Sequence, residues 1–536
     1  MSVEAFRLQN FMPFEDTGWI ELRPICLLFG RNSSGKSAII RALRFLRQSL
    51  NDQATASPFT YYTDYGVDVG DYPTVIHHHE PERGLSFSFR CTVEDTIEQI
   101  RELVNLQRGH NHLVEITAED FAAWVEIELT YGQGDVDTKV QLKEFKIVGP
   151  WGVSDGTEKC TIFEAQRLPL ASVSFEEQWW FRSDVLFGHE HENETAWEGV
   201  SIELVNGFLP ALEVPPLAVE EDSLSLRDRK LVNTLLHALC KDIAAFLRGF
   251  EYLGPIRPQP QRVYAFDPLA RLRWEEMGWG TFLRFLKGEV DEDLMGQITS
   301  WMKKLDLGYK VLSDKENYAG DSAIVAQVKI QNADGVQVNL VDTGYGANQV
   351  LPIIIQCLLA EREALVIIEQ PELHLHPRAQ AQLADLLIEV ATRGEQLAEQ
   401  RKAAGQSLPT QTELKSLRVR FLIETHSEHI LLRLRRHIVE ETLSITQIQK
   451  DVQPTAAGEL LGLDEEQLRA YFVEFSDSKS SVEPILINRL GQYEKQPSGF
   501  RRFFSDDYDQ VMAITERLSQ LMALEHENEH ENASDD

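Results

Sequence analysis

The residues Gly30, Arg31, Asn32, Ser33, Ser34, Gly35, Lys36 and Ser37 have the spacing G-x-x-x-x-G-K-S. Glycines at the two ends let the backbone curl so that successive N–H groups face one point, as phosphate oxygens require. Lys36 is placed to reach β- and γ-phosphates, and the Ser37 hydroxyl to ligate Mg²⁺. The apolar run 25–29 leads in as a short buried strand, and residues 38 to about 50 follow as a helix. Strand, glycine-bounded loop and helix, in that order, are the context of a phosphate-binding loop, and the helix N-terminus adds partial positive charge. The stretch implies a nucleoside triphosphate ligand.

Three further places carry groups that could act on such a ligand. Residues 364–368 form a second apolar run ending in Glu369, Gln370, Pro371 and Glu372. A carboxylate at the tip of a core strand is where these sheets hold a metal. Residues 419–423 form a third run, followed by Glu424, Thr425 and His426. Ligand groups gather at the C-terminal ends of parallel strands, which puts His426 near the γ-phosphate. Gly344, Gly346 and Asn348 belong to a glycine-punctuated loop that opens an apolar helix over 350–360, a second helix N-terminus able to face an anion. His77, His78 and His79 fall in a strand-like stretch whose alternation points them apart, which argues against a metal site.

The elements that must hold these groups alternate between strand and helix. Residues 3–29 read as a short β region, 51–95 as further strands, and 125–129 and 140–147 as strands in a looser stretch. Aromatic and acidic residues crowd 175–198, the pattern of a small hydrophobic cluster under a loop. Residues 227–250 and 378–390 have helical spacing, 391–416 is a polar excursion, and 471–475 reads as a last strand. The division expected is an N-terminal lobe at 1–95, an insertion at 96–250, a second lobe at 251–475 and a C-terminal domain at 476–536 with an acidic, disordered tail.

A chain of 536 residues has room for two or three domains, and 43% hydrophobic with 26% charged residues is a soluble globular composition. No apolar run approaches membrane length and no signal-peptide pattern opens the chain, so a cytoplasmic protein without membrane partners is expected. Five scattered cysteines offer neither a disulfide framework nor a zinc site. The net charge of -33 disfavours a protein that coats nucleic acid, leaving only a local basic groove or indirect contact. Arg41, Arg44 and Arg47, and Arg433, Arg435 and Arg436, read first as solvated helix faces.

Taken in order, N-F-x-x-F, G-x-N-S-S-G-K-S, G-Y-G-A-N-Q-V-L-P, E-Q-P-E-L-H-L-H-P and E-T-H-S-E-H resemble the ABC-type ATPase heads of SMC-like, RecF-like and overcoming-lysogenisation-defect proteins. The chain also resembles a bacterial AAA-family subgroup with a C-terminal domain of unknown function, found in anti-phage systems such as Septu beside a separately encoded nuclease. The resemblance implies an α/β fold: a P-loop NTPase head with a mixed sheet and flanking helices, an inserted α+β subdomain and a small C-terminal domain. It implies ATP and Mg²⁺ as cofactors, Glu369 as the metal-side acid, Gly344 to Asn348 as a signature loop and His426 as the switch histidine. It implies a homodimer or higher oligomer with ATP sandwiched between subunits, controlling an effector nuclease from an adjacent gene.

Two positions depart from that pattern. The acid that orients the attacking water follows the metal-side acid in such heads, and here that place is Gln370. An amide can hydrogen-bond water but cannot take its proton at neutral pH. Glu372 is the substitute within reach, although Pro371 fixes a turn between them. Asn348 stands near where many relatives carry serine. Slow hydrolysis follows, with turnover below about 10 s⁻¹, and bound ATP serves mainly as a clamp or state sensor. The alternatives are a DNA-repair ATPase of RecF or SMC type and a Toprim-like nuclease. The latter would need metal-binding acids from Asp506, Asp507 and Asp509, which follow no apolar strand.

Overall fold

The computed structural model describes residues 3–50, 57–92, 124–134, 139–150, 159–168, 179–183, 194–195, 201–213, 224–266, 280–307, 310–318, 323–403, 407–409, 418–445, 462–500 and 503, single positions 65, 258, 333 and 362 excepted. All six residues of the strand Ile25–Gly30 are buried, as a strand covered on both faces must be. Its sheet runs in the order Glu251–Leu253, Leu365–Glu369, Arg420–Glu424, Ile25–Gly30, Leu468–Ser476, Lys479–Ile487 and Tyr493–Lys495. The first five strands are parallel, and the last two fold back as antiparallel partners. In register, Leu253 pairs with Ile368, Glu369 with Glu424, and Glu424 with Leu28. Their C-terminal ends therefore form one continuous edge.

The period of two along a strand assigns each side chain to one of two cores. Cys26 and Leu28 face a core shared with the helices Lys36–Gln48 and Leu224–Gly249 and with a second sheet. Ile25, Leu27 and Phe29 face the other, against the helices Gly280–Lys287, Glu292–Lys304, Tyr345–Leu359, Pro377–Ala391 and Glu428–Ile445. Each fully buried Leu, Ile or Phe contributes about 1.5–3 kcal/mol, so the phosphate-loop strand is anchored from both sides. This is the α/β class and mixed sheet expected of an ABC-type P-loop head.

The second sheet is antiparallel, nine-stranded and built mostly by the looser stretch. Glu194–Thr195, Trp179–Arg182, Lys159–Arg167, Val140–Pro150 and Trp124–Gln133 add in turn to Leu85–Thr92, which pairs with Val3–Phe11. The strands expected at 125–129 and 140–147 lie inside two of these. The aromatic stretch at 175–198 is not a cluster under a loop where it is described. Trp179 and Phe181 are buried on an edge-proximal strand, while His189, His191 and Trp197 lie outside the described residues.

Three other expectations change. Between 57 and 83 the chain makes short helices and turns, and only Leu85–Thr92 is a strand. The histidines accordingly sit on a turn, with φ +58° at His78 and +57° at His79, and the Nδ1 atoms of His77 and His79 contact backbone carbonyls. The strand over 471–475 is not the last, since the hairpin partner Lys479–Ile487 follows it. The acids at 506, 507 and 509 and the acidic tail lie outside the described residues. No described helix is long and apolar enough to cross a membrane.

Candidate functional site

The loop after Ile25–Gly30 closes on backbone that only glycine allows. Gly30 has φ +152° and Gly35 +106°, and a Cβ at Gly30 would lie 2.3 Å from the Val473 carbonyl oxygen. Ser33 also holds positive φ, at +63°. The hairpin Leu468–Ser476/Lys479–Ile487 braces the loop from outside, since the Ser480 hydroxyl donates to the Ser34 carbonyl at 2.7 Å. Arg31, Asn32 and Ser33 are exposed along its rim, and Ser34 is buried. Lys36 folds back into the loop, donating to the carbonyl oxygens of Gly30 and Arg31, each at 2.8 Å. Burial pulls its amine below the ordinary lysine value, against the Glu424 and Glu372 carboxylates that push it up.

Glu424 is the acid that meets the loop. Its Oε2 accepts from the Ser37 hydroxyl at 2.9 Å, and its Oε1 lies 3.9 Å from Lys36 Nζ. Glu369 ends the neighbouring strand directly opposite, and its Oε1 accepts from the Tyr252 hydroxyl at 2.7 Å. Burial and the Glu369 carboxylate beside it raise the Glu424 carboxyl well above the usual range. Two carboxylates and one hydroxyl are thus gathered at one point, an oxygen donor set that suits Mg²⁺. Glu424 and Tyr252 escaped the sequence reading, although Glu424 ends an apolar run by the same rule that marks Glu369.

The turns beyond the strand ends are knitted together. The Gln370 N–H donates to the Glu424 carbonyl at 2.7 Å, with Gln370 at φ +47°. Thr425 N–H donates to the Leu28 carbonyl at 3.1 Å. Both oxygens of Glu372 are engaged: Oε2 by the Thr425 hydroxyl at 2.8 Å and Oε1 by the His426 N–H at 2.6 Å. Burial raises the Glu372 carboxyl above the usual range. His426 presents a buried Nε2 without a partner, its ring lies 5.7 Å from that of Phe503, and burial and Lys36 depress its basicity. Ser34 Oγ and the Nε and Nη2 atoms of Arg257 are likewise buried and unpartnered. Orphaned buried donors and acceptors are costly, and phosphate oxygens and water would satisfy this set.

The Gly344 loop lies elsewhere. It follows a small antiparallel sheet of Tyr264–Phe266, Lys310–Tyr318, Ala323–Gln331 and Gln337–Asn339 and starts the helix Tyr345–Leu359. Gly344 and Tyr345 are exposed, and Tyr345 packs its ring 4.9 Å from that of His374. Gly346 sits beside the His374 carbonyl, and the Asn348 side chain is buried with its Oδ1 accepting from the Thr343 hydroxyl at 3.3 Å. Among the described residues no hydrogen bond or ion pair joins this loop to the phosphate loop of the same chain. Among the described residues, too, no three His, Cys, Asp or Glu form a preassembled metal cluster.

Of the arginines considered for a basic groove, Arg41 is exposed and the other five have partners within the chain. Arg44 lies over the Tyr252 ring and Arg47 over the Phe250 ring. Arg433 pairs with Asp385, Arg435 binds the Gly491 carbonyl, and Arg436 pairs with Glu440.

Comparison with known proteins agrees with this geometry at the level of domain type. Residues 286–431 match a family model described as "AAA ATPase domain", and residues 25–117 one described as "AAA domain, putative AbiEii toxin, Type IV TA system". The two matches take in the phosphate loop, the Gly344 loop, Glu369 and His426. No curated protein matches the chain. Among solved structures it is similar to an Smc head bound to the C-winged helix domain of ScpA, at 10% identity and TM-score 0.39, over 91% of this chain and 98% of that one. It is similar to the SMC head domain from Thermotoga maritima, at 8% identity and TM-score 0.36, over 91% and 100%. It is also similar to the Pyrococcus furiosus Smc head with an extended coiled coil bound to the C-terminal domain of ScpA, at 10% identity and TM-score 0.36, over 97% and 99%. What defines the fold is the strand order and the shared edge: a P-loop sheet whose neighbouring strands deliver Glu424 and Glu369 beside Lys36 and Ser37.

Proposed function

We propose that the chain is an ATP-binding, slowly hydrolysing ATPase of the ABC and SMC-head kind. Two copies close around ATP, and closure controls a separately encoded effector, a nuclease from an adjacent gene, in bacterial anti-phage defence. The observation that carries the ATPase reading is the meeting of Lys36, Ser37, Glu424 and Glu369 at one sheet edge. On nucleotide binding Lys36 leaves the Gly30 and Arg31 carbonyls for the β- and γ-phosphates, and the loop N–H groups take the remaining oxygens. Ser37, Glu424 and Glu369 would hold Mg²⁺, which neutralises phosphate charge. His426 Nε2 faces the γ-phosphate side. The reaction is ATP plus water to ADP plus phosphate. Gln370 orients the water without taking its proton, and Glu372 is occupied in holding the His426 turn, so turnover stays below about 10 s⁻¹.

The dimer reading is supported by the exposure of Gly344 and Tyr345 and by the lack, among the described residues, of any hydrogen bond or ion pair from this loop to the phosphate loop of the same chain. Gly344, Gly346 and, braced by Thr343, Asn348 would close on the triphosphate held by the partner. Calorimetric titration with ATP and Mg²⁺ tests the first step, with Lys36→Ala expected to weaken binding at least 10-fold. Absence of wild-type binding at millimolar ATP would remove the reading. Purification with the neighbouring gene product, with and without ATP, tests the second, and assembly and nuclease activity indifferent to nucleotide would remove the effector role.

A further inference from the structure

Arg257 lies just past the strand Glu251–Leu253, at the same edge as Glu369 and Gln370. Its side chain is 4% exposed. One nitrogen, Nη1, donates to the Pro255 carbonyl at 2.8 Å and reaches the Gln370 carbonyl at 3.5 Å. The other two, Nε and Nη2, have no partner. These two share one side of the guanidinium plane and form the fork that grips a planar pair of oxygens. A buried cation is ordinarily paired, and a fork left open inside a protein is costly. The nearest acids, Glu372 and Glu369, attract the guanidinium through space, but the hydrogen bonds they accept come from Thr425, His426 and Tyr252, and none comes from the fork.

Resting on the ATPase reading, we propose that Arg257 is an oxyanion-binding residue for the phosphate beyond the β-phosphate, attached or just released. An anion with several acceptor oxygens is what the open fork lacks, and the nucleotide site on the same edge supplies one. Access requires the Gln370 turn to shift. That turn already holds a non-glycine residue at φ +47°, a sparsely populated conformation that can relax when the turn moves. Ile256, 89% exposed beside it, shows that the Arg257 segment itself lies at the molecular surface. Arg257 thereby distinguishes triphosphate from diphosphate, while the phosphate loop holds both.

The test is calorimetric binding of ADP, of a non-hydrolysable ATP analogue, and of ADP with excess inorganic phosphate, all with Mg²⁺ and the full chain. Arg257→Met and Arg257→Lys are expected to bind ADP within about twofold of wild type. Each should lose on the order of 10- to 100-fold for the analogue, because a fork to a charged group is lost. If the fork also holds released phosphate, inorganic phosphate tightens ADP binding in wild type and not in the variants. Without that effect the fork reads only attached phosphate. Equal losses for ADP and the analogue, or no loss for either, would overturn the proposal. Failure of the wild type to bind any nucleotide would instead overturn the ATPase reading, and the inference with it.

Discussion

At the scale of single residues the site turns on which carboxylates are free. Glu372 follows Gln370 by two positions and is the acid in reach of water by sequence, yet the structure spends both of its oxygens on Thr425 and on the His426 backbone. Its place is that of a positioning residue for the turn carrying His426. Glu372→Gln offers one carbonyl oxygen where two acceptors were needed and sets an NH₂ against a donor. Turnover should fall by roughly 10-fold or more, the worth of one hydrogen bond to a charged group, with affinity for a non-hydrolysable analogue changed less than about threefold. A fall in affinity equal to the fall in turnover would instead mean that Glu372 helps hold the nucleotide. Lys36, Ser37, Glu369 and His426 were legible because each follows an apolar run or sits in a fixed loop spacing. Glu424 was hidden by its neighbour, since attention to His426 passed over the residue that ends the same strand. Arg257 and Tyr252 were not legible, because only the parallel pairing of Glu251–Leu253 with Leu365–Glu369 brings them to the edge.

At the scale of elements the two helices behind the Glu369 and His426 turns are tied to each other. Pro377–Ala391 follows the Glu369 turn and Glu428–Ile445 follows the His426 turn. Asp385 on the first receives Arg433 Nε at 2.8 Å and His437 Nε2 at 2.7 Å from the second, and Ser427 Oγ donates to Gln380 at 2.7 Å. Burial alone would raise the Asp385 carboxyl; the His437 and Arg433 hydrogen bonds overcome it and hold the group below the ordinary aspartate value. An acid lowered in the folded state stabilises the fold above its unfolded value, about 3.9, and that contribution is lost as pH falls through the folded value. Asp385→Asn should therefore cost about 1.5–3 kcal/mol at pH 7, and the gap from wild type in denaturant melts should close below about pH 4. A gap that persists in acid would place the effect in packing instead. The first of these helices was plain in the sequence from its 3.6-residue spacing over 378–390; the second was marked only by the arginines at 433, 435 and 436. The antiparallel sheet was legible only in part: the strands at 125–129 and 140–147 were, but not their pairing into one surface, which rests on contacts distant along the chain. The strand after residue 476 was missed for a related reason, because Lys479–Ile487 has few buried apolar residues and Pro484 interrupts its alternation.

At the scale of the whole molecule, charge decides how two copies can meet. Each copy carries a net charge of -33, so approach is opposed at long range, and the proposed closure would have to be driven by the nucleotide and the local fit of the Gly344 loop. ATP can favour the closed pair only by its extra affinity for that state. Salt shortens the reach of the repulsion, from about 10 Å at 0.1 M to about 3 Å at 1 M, while leaving desolvated contacts at the nucleotide less affected. Sedimentation with a non-hydrolysable analogue should thus show a 61.1 kDa species passing to a dimer more readily at 0.5 M than at 0.05 M sodium chloride. Nucleic-acid binding has the opposite sign, since phosphate contacts release counterions and weaken steeply as salt rises. The partners that Arg44, Arg47, Arg433 and Arg435 have within the chain argue for the first behaviour. Gly346→Asp adds a carboxylate at the exposed loop that would face the partner's triphosphate, and it should abolish the dimer while leaving ADP binding by the monomer intact. Association that weakens with salt, or that persists unchanged in Gly346→Asp, would place the interface on another face of the molecule.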